Sequence, residues 1–577
     1  MRRADFAWSA PFGFRRTDLA ASALYIAAAI AIAGSANPFW LFLLTSALIT
    51  AVVAVSVGVI YDNAGLLSLC QMSFAGMGAW TVGWLNLKTS LPYLAMLPFA
   101  ALVPFAVGIL VGVPALRLRG LNLAVFTLVF SAAVARVVFA DGFPGLIEGN
   151  RVRPPGFASS EPGFFLFCAA VLGFVGLAVV VLRRSRTGRW WFSVRRSERA
   201  TAAMGRSVVR TKLSAFAVSA AIAGLGGALL VALHGIVSAA SFQPIESMTI
   251  LTSALMFGAG HFEGALLAGL FGRLIPNFLS DLGLPQDIAP MIFAVGGVLA
   301  LSQGEGGLSA ALRALISRLG RPRETPDHST AASPLPACRL SRLRGDGPML
   351  DIQNIAVSYG AVQALDDVSL TVTEGRFVGV IGPNGAGKST LVDIVSGFLA
   401  SSQGRVILDG MDISSLPPRK RARMGMRRTF QQGLTPRDLT VGGYLDLAGS
   451  GSGLPVEEAV SWFSLPPAST PVAALDVGSR RILEVCGAII SRPKAVLLDE
   501  PVAGLAGHER ERFVDALAQV PITLHTAVLL IEHDLDVVAS LCDTAIVLDF
   551  GRVIAAGTPS EVLSNPDVVA AYLGRAS

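Results

Sequence analysis

The sequence predicts a multi-domain chain: an all-α polytopic membrane domain followed by an α/β domain with a phosphate-binding loop. Three observations predict it. Residues 1–302 are dominated by apolar runs long enough to cross a bilayer, which takes about 20 residues. Residues 349–577 change to short β-branched strands alternating with amphipathic helices. Between them, 303–348 is rich in Pro, Ser, Gly and Arg without periodicity and reads as a flexible linker.

Composition agrees. Of 577 residues, 53% are hydrophobic and 15% charged, with mean hydropathy +0.60, where a soluble chain carries about 25% charged residues. The net charge of +6 is gathered in arginine clusters between apolar runs. That is positive-inside patterning, so the basic balance points to a membrane, lipid-facing chain and not to nucleic acid. The five cysteines (70, 168, 338, 486, 542) have no paired or metal-like spacing and read as buried thiols of a reducing compartment. The basic N-terminus runs into a retained apolar span, with no cleavable signal pattern.

About ten spans are expected, near 18–34, 38–59, 64–86, 91–112, 121–140, 162–182, 211–233, 247–260, 263–282 and 287–302. Charge and parity test the count. Arg2, Arg3, Arg15 and Arg16 place the N-terminus inside, and Arg117 and Arg119 return inside four spans later. The basic loop after six spans is inside again, so loop 141–161 faces out. An even total keeps the nucleotide-requiring half cytoplasmic, which is why 247–282 is split in two. Polar residues inside a membrane are costly and mark a bundle interior or pathway. Asn63, Gln71, Asn122, Thr127, Glu246 and Glu263 are such candidates, the two glutamates also fitting an interface.

The C-terminal half carries phosphate chemistry. "RFVGVIGPNGAGKSTLVDIVSGFL" reads strand, Gly-rich loop, helix, and fits G-x-x-x-x-G-K-[ST]. The loop Gly382, Pro383, Asn384, Gly385, Ala386, Gly387 lets backbone N–H groups curl around a β-phosphate, with Thr390 in the next turn. Lys388 neutralises the β/γ-phosphates and the Ser389 hydroxyl ligates Mg²⁺. "KAVLLDEP" is a buried strand ending in Asp499, which holds Mg²⁺ directly or through water, and Glu500, a general base for the attacking water. His533 ends a further strand, where it contacts the γ-phosphate or orders Glu500. Gln431 sits at the edge of the site toward Mg²⁺ or the water. Tyr359 fits adenine stacking or the core equally well. ATP and Mg²⁺ are the implied cofactors.

Together these residues resemble the ATPase of ATP-binding-cassette (ABC) transporters over all of 349–577. "RTFQ", "IEHDLDVV" and "NPDVVAAYLG" resemble the branched-chain amino-acid uptake group in particular. Independently, "YDNAGLLSLCQMSFAGMGAWTVG", "VGVPALRLRGLNLAVFTLVFSAAVAR" and "RRSERATAAMGRSVVRTKLSAFAVSAAIAGLGGALL" resemble a permease subunit of the same importers. The chain is thus similar to a fusion of one permease half and one ATPase half. The resemblance implies a second permease subunit, a second ATPase subunit with an intact signature, an external substrate-binding protein, and a bacterial inner-membrane location. It also implies a coupling helix at 195–205, with Arg195, Arg196, Glu198, Met204 and Gly205; the alternative is a solvated basic loop.

The family's signature, roughly L-S-G-G-Q, falls here at Leu475, Asp476, Val477, Gly478 and Ser479. Asp476 stands where Ser or Ala is usual, and Ser479 replaces Gln. A carboxylate there faces a phosphate, and two unit charges about 4 Å apart cost roughly 4 kcal/mol at an effective dielectric of 20. Alternatively Asp476 caps its own helix and takes the phosphate's seat. Ala506 replaces a polar cross-dimer residue. The span from Gln431 to Leu475, 475 − 431 = 44 residues, is short, with "GSGSGLPVEE" and "SLPPASTP" loop-like. The resulting expectation is ATP-driven import of branched-chain or related amino acids by an asymmetric ATPase pair. Two alternatives stand beside it: the same machine for urea, short amides or aromatic acids, and a non-hydrolysing scaffold.

Overall fold

The computed structural model describes residues 16–577 except 117, 119, 141, 145–148, 237, 286–287, 304–306, 310–346, 361, 432, 450–452, 506 and 574–577. Arg2, Arg3, Arg15, Arg117, Arg119, Cys338, Ala506 and most of the expected linker lie outside the described residues. The chain divides into two compact units, 1–191 with 209–323 and 192–208 with 324–577.

The first unit is all helical. Its elements begin with α1 (Arg16–Ser35), α2 (Pro38–Gly58), α3 (Gln71–Lys88), α4 (Tyr93–Ala115), α5 (Leu121–Val137) and α6 (Glu161–Arg184). Two short helices come next in the chain, α7 (Arg186–Arg196) and α8 (Glu198–Ala203), of which α8 falls in the second unit. The first unit then resumes with α9 (Val208–His234), α10 (Pro244–Phe257), α11 (Phe262–Asp281) and α12 (Ile288–Gln303). Each of the ten apolar segments holds one helix. Those containing 38–63, 93–115, 161–184 and 208–234 are long and apolar enough to cross a membrane. Residues 247–282 form two helices, separated at 258–261.

The largest departure is at α3, which starts at Gln71 and not near 64. A π-turn over Val59–Asn63 ends the preceding helix, and 64–70 is irregular. Irregular backbone at membrane depth must find partners within the protein. Here Thr127 Oγ1 accepts from Leu69 N (3.0 Å) and Ser247 Oγ accepts from Met72 N (3.1 Å). Gln71 accepts from Ser56 Oγ (3.0 Å) and Ser219 Oγ (3.3 Å). Gln71 and Thr127 are therefore polar partners for the break in the helix. Asn63 is buried with neither amide atom hydrogen-bonded. Asn122 is exposed on the surface of this unit, outside the bundle interior, which leaves the pathway reading.

In the second unit, β1 (Pro348–Tyr359), β2 (Val362–Thr373), β4 (Gln403–Leu408) and β5 (Met411–Asp412) form an antiparallel sheet of order β2-β1-β4-β5. A second sheet contains β3 (Phe377–Ile381), β6 (Met426–Arg428), β7 (Ala495–Asp499), β8 (Ala527–Ile531), β9 (Thr544–Asp549) and β10 (Arg552–Gly557), in the order β10-β9-β3-β8-β7-β6. From β9 to β6 all neighbours are parallel. β3, β7 and β8 are buried at every position, which explains their unbroken apolar runs: a parallel strand covered on both faces has no polar side.

Helices α13 (Lys388–Val395), α14 (Pro418–Arg423), α15 (Val441–Gly449), α16 (Val456–Trp462) and α17 (Val477–Ile489) also belong to this unit. The "VEE" of the segment read as a loop opens α16, because Pro455 stands just before its first turn and Glu457 and Glu458 complement the helix N-terminus. Helices α18 (Gly507–Ala518), α19 (Val520–Leu524), α20 (Leu535–Leu541), α21 (Pro559–Leu563) and α22 (Pro566–Leu573) complete the unit.

Candidate functional site

In an open parallel sheet, ligands bind beyond the carboxyl ends of the strands. Four adjacent strands, β6, β7, β8 and β3, end together here. Residues 429–431 succeed β6, and Asp499 and Glu500 close β7. Glu532 and His533 succeed β8, and the loop 382–387 succeeds β3. The topology thus brings together residues that lie up to about 150 positions apart in the chain.

The loop keeps the shape of a phosphate cradle. Gly382 and Gly387 have φ of 146° and 101°, in the region that favours glycine. A Cβ on Gly382 would lie 2.1 Å from Leu548 O, and one on Gly387 would lie 2.7 Å from Ala364 O. Lys388 Nζ donates to the loop carbonyls of Gly382 (2.6 Å) and Pro383 (2.9 Å). Its partial burial pushes the ammonium pKa below the usual value, opposed by Glu500 and Asp499. Ser389 is exposed in the first turn of α13, with half-buried Thr390 beside it. The C-terminal carbonyls of α13 are capped from the side: Arg421 donates to Ile394 O and Val395 O, both at 2.7 Å.

Glu500 sits at φ 48°, a left-handed conformation that costs a non-glycine residue strain and persists where surrounding contacts demand it. Those contacts are Glu500 N donating to Ile531 O (2.9 Å) and Arg481 Nη2 donating to Glu500 O (2.7 Å). Gln431 Nε2 lies 3.3 and 3.2 Å from the two carboxylate oxygens. His533 Nδ1 is 3.7 Å from Glu500 Oε1, an ion-pair separation when the ring is protonated. Asp499 is nearly buried; burial raises its pKa, while Arg428, 3.6 Å from Oδ2, draws it back. Tyr359 is 53% exposed at the end of β1, which does not fit the core alternative.

Whether nucleotide and magnesium fit can be judged from the donors present. Among the described residues, no three His, Cys, Asp or Glu side chains cluster to hold a metal. Magnesium suits the remaining set. It binds through one or two carboxylates plus substrate phosphates and keeps several waters, so Asp499 and Ser389 with phosphate oxygens suffice.

Several residues of the site escaped the sequence reading. Arg481 is 4% exposed on α17 and donates to the backbone carbonyls of Phe430, Asp499 and Glu500. Glu484, one turn on, pairs with Arg481 (3.2 Å) and accepts from Phe430 N (3.0 Å). One buried pair therefore pins the chain before Gln431 and after Asp499 to the same helix. Glu532, buried beside His533, accepts from Val502 N (3.3 Å), and burial raises its pKa. The available signal was a charge within a run of apolar residues: α17 is buried from Arg481 to Ile489 without a break.

At the expected signature position, Asp476 is the N-cap of α17, its Oδ1 accepting from Ser479 N at 2.6 Å. Leu475, Gly478 and Ser479 are buried, and Asp476 and Val477 exposed. In the expected coupling segment, Arg423 Nε donates to Gly205 O (3.1 Å) and Arg427 Nη1 reaches Ala203 O (3.4 Å). Met204 closes α8, Glu198 opens it, and Arg196 lines a cavity of about 260 Å³ with Gln431, Arg437 and Arg480.

A phosphate loop on β3, an acidic pair on β7, a histidine after β8 and a glutamine after β6 define an ABC-type ATPase, here on one chain with a polytopic helical domain. The family profile described as branched-chain amino acid transport system / permease component matches residues 16–301. The ABC transporter profile matches 365–503, and the branched-chain amino acid ATP-binding cassette transporter profile matches 552–577. The high-affinity branched-chain amino acid transport ATP-binding protein LivG of Salmonella typhimurium is 34% identical over 252 residues, covering 40% of this chain and 99% of LivG. BraF of Pseudomonas aeruginosa, with the same description, is 34% identical over 252 residues with the same coverage. The crystal structure of the ADP conformation of MJ1267, an ATP-binding cassette of an ABC transporter, matches with 30% identity and TM-score 0.36, covering 40% of this chain and all of that one. The chain belongs to the branched-chain amino-acid ABC transporter family, as a fused permease and ATP-binding subunit. It is a multi-pass membrane protein whose ATPase domain hydrolyses ATP in transport. The matches do not favour the urea, amide or aromatic-acid alternative, and they do not favour the non-hydrolysing scaffold.

Proposed function

We propose that this chain drives uptake of branched-chain amino acids across a bacterial inner membrane, as one half of an asymmetric ATPase pair. The ATPase half and the N-terminus face the cytoplasm, a reading that the arginine distribution supports. Partners are a second permease subunit, a second ATPase with an intact signature, and an external binding protein that selects the cargo. ATP lies on loop 382–387 with Tyr359 toward adenine; Mg²⁺ is held by Ser389 and Asp499, with Gln431 at its edge. Glu500 takes the proton of the attacking water, ordered by Gln431 and His533.

The observation that carries the asymmetry is the cap. Asp476 Oδ1 already occupies Ser479 N, one of the α17 N-terminal amides. A phosphate from a facing nucleotide would meet a fixed carboxylate and one amide fewer. The phosphate loop, acidic pair and histidine of the same chain are intact. One composite site is therefore active and its mirror slow. Asp476→Ser removes the carboxylate and keeps a capping oxygen. ATP turnover of the assembled transporter is expected to rise, and an unchanged rate would count against the asymmetric reading.

A further inference from the structure

Residues 192–208 belong to the same compact unit as the ATPase, although they lie between α6 and α9 in sequence. Within this unit a line of alternating charge runs from α8 to the acidic strand. Arg199 Nη2, on α8, donates to Asp393 Oδ1 at 2.7 Å. Asp393 lies on α13, the helix that begins at the phosphate loop. The same Oδ1 accepts from Arg428 Nη1, which also donates to Ser396 Oγ at 2.9 Å. The other end of that guanidinium, Nη2, stands 3.6 Å from Asp499 Oδ2: near enough for charge attraction, too far for a hydrogen bond. Phe398 and Phe430 hold both arginines over their faces. Arg199 lies 4.7 Å from the Phe398 centroid and Arg428 4.7 Å from that of Phe430.

We propose that Asp393 is a positioning residue through which docking of Arg199 sets how strongly Arg428 competes for Asp499, and hence how tightly that carboxylate binds magnesium. This rests on the reading of Asp499 as an ion ligand. One carboxylate oxygen shared by two guanidinium groups holds each less firmly than it would hold one. With α8 docked, Arg428 is free to lean toward Asp499. With Arg199 withdrawn, Asp393 claims Arg428 alone, and Asp499 is left more negative. Without Asp393, Arg428 closes on Asp499 and takes the oxygen an ion needs. The permease segment thereby gates the metal-binding carboxylate of the ATPase half that lies after it in the same chain.

The experiment is equilibrium binding of a fluorescent ATP analogue, trinitrophenyl-ATP, to the full-length chain in its assembled complex, titrated with Mg²⁺. Arg199→Ala is expected to lower the half-saturating Mg²⁺ concentration and Asp393→Asn to raise it. Each shift should fall within roughly two- to thirtyfold, the range of coupling through side-chain networks. Arg199→Lys, which keeps the charge and reaches the same carboxylate, stays near wild type. The deciding measurement is the double variant. A simple through-space charge effect adds, whereas the relay predicts that Arg199→Ala does nothing further once Asp393 is Asn. Additive shifts overturn the proposal. So does the absence of a shift in Arg199→Ala, a change at an exposed side chain that leaves folding intact. Asp499→Asn in the same assay separates the two readings. If Mg²⁺ dependence survives it, the assignment of Asp499 falls and takes the relay with it. If the dependence is lost but Arg199→Ala shifts nothing, only the relay falls.

Discussion

Glu500→Gln is expected to lower ATP turnover by roughly 10²- to 10⁴-fold, the contribution of a positioned general base, with nucleotide affinity unchanged. The substitution keeps the side chain's shape and its contact with Gln431, 3.2–3.3 Å away. It also keeps the backbone contacts that hold φ at 48°. What it removes is the ability to accept a proton. A loss confined to kcat marks an interaction made only in the transition state. The residual rate also reports on the second half-site. Two equal, independent sites would leave about half of the turnover when one base is lost. An asymmetric pair in which this chain's base serves the active site leaves almost none. Retention of half the coupled hydrolysis would sink the asymmetric assignment; retention of all of it would remove Glu500 from the chemistry.

The parts of the site that were legible in the sequence are those whose chemistry is local. Loop 382–387 announces itself because one turn must supply glycines, a lysine and a hydroxyl within a few residues. The acidic pair and His533 are readable because each comes after an unbroken apolar run, the mark of a strand buried on both faces. The Asp476 cap is local too, three residues from the amide it takes. Arg481, Glu484, Arg428 and Asp393 were not legible, because their roles exist only after β6, β7 and α17 converge. Arg481 acts on carbonyls 51 and 18 positions away, and no local pattern records a separation that the sheet order creates. The delayed start of α3 was hidden for a related reason. Residues 64–70 are apolar enough to continue a span, and their irregular backbone is tolerated only because Thr127 and Ser247 arrive from other helices.

Arg481→Met is expected to destabilise the ATPase half by about 3–5 kcal/mol, the cost of removing one partner from a buried charge pair. That is a large share of the roughly 5–15 kcal/mol that holds a domain folded. The loss has two parts. Three backbone carbonyls lose their donor, and a buried acceptor without a partner carries its full desolvation cost. Glu484 also loses its cation. Burial already pushes Glu484 up to about 7 from its ordinary 4.5, and Arg481 is the strongest influence holding it down. For an acid whose folded pKa is raised, the folded state binds the proton more tightly than the unfolded chain. Stability from that group is then fullest below about 4.5 and falls as pH rises toward about 7. With Arg481 gone the folded pKa climbs higher, so the fall continues above pH 7, where the wild type is level. Urea unfolding of residues 349–577 measures this directly, since LivG, an ATP-binding protein without a permease half in its description, matches 40% of this chain over 99% of its own length. The midpoint of Arg481→Met should drop between pH 7 and 8 while that of the wild type holds. A parallel pH dependence in the two proteins would show that Arg481 and Glu484 do not act as a pair.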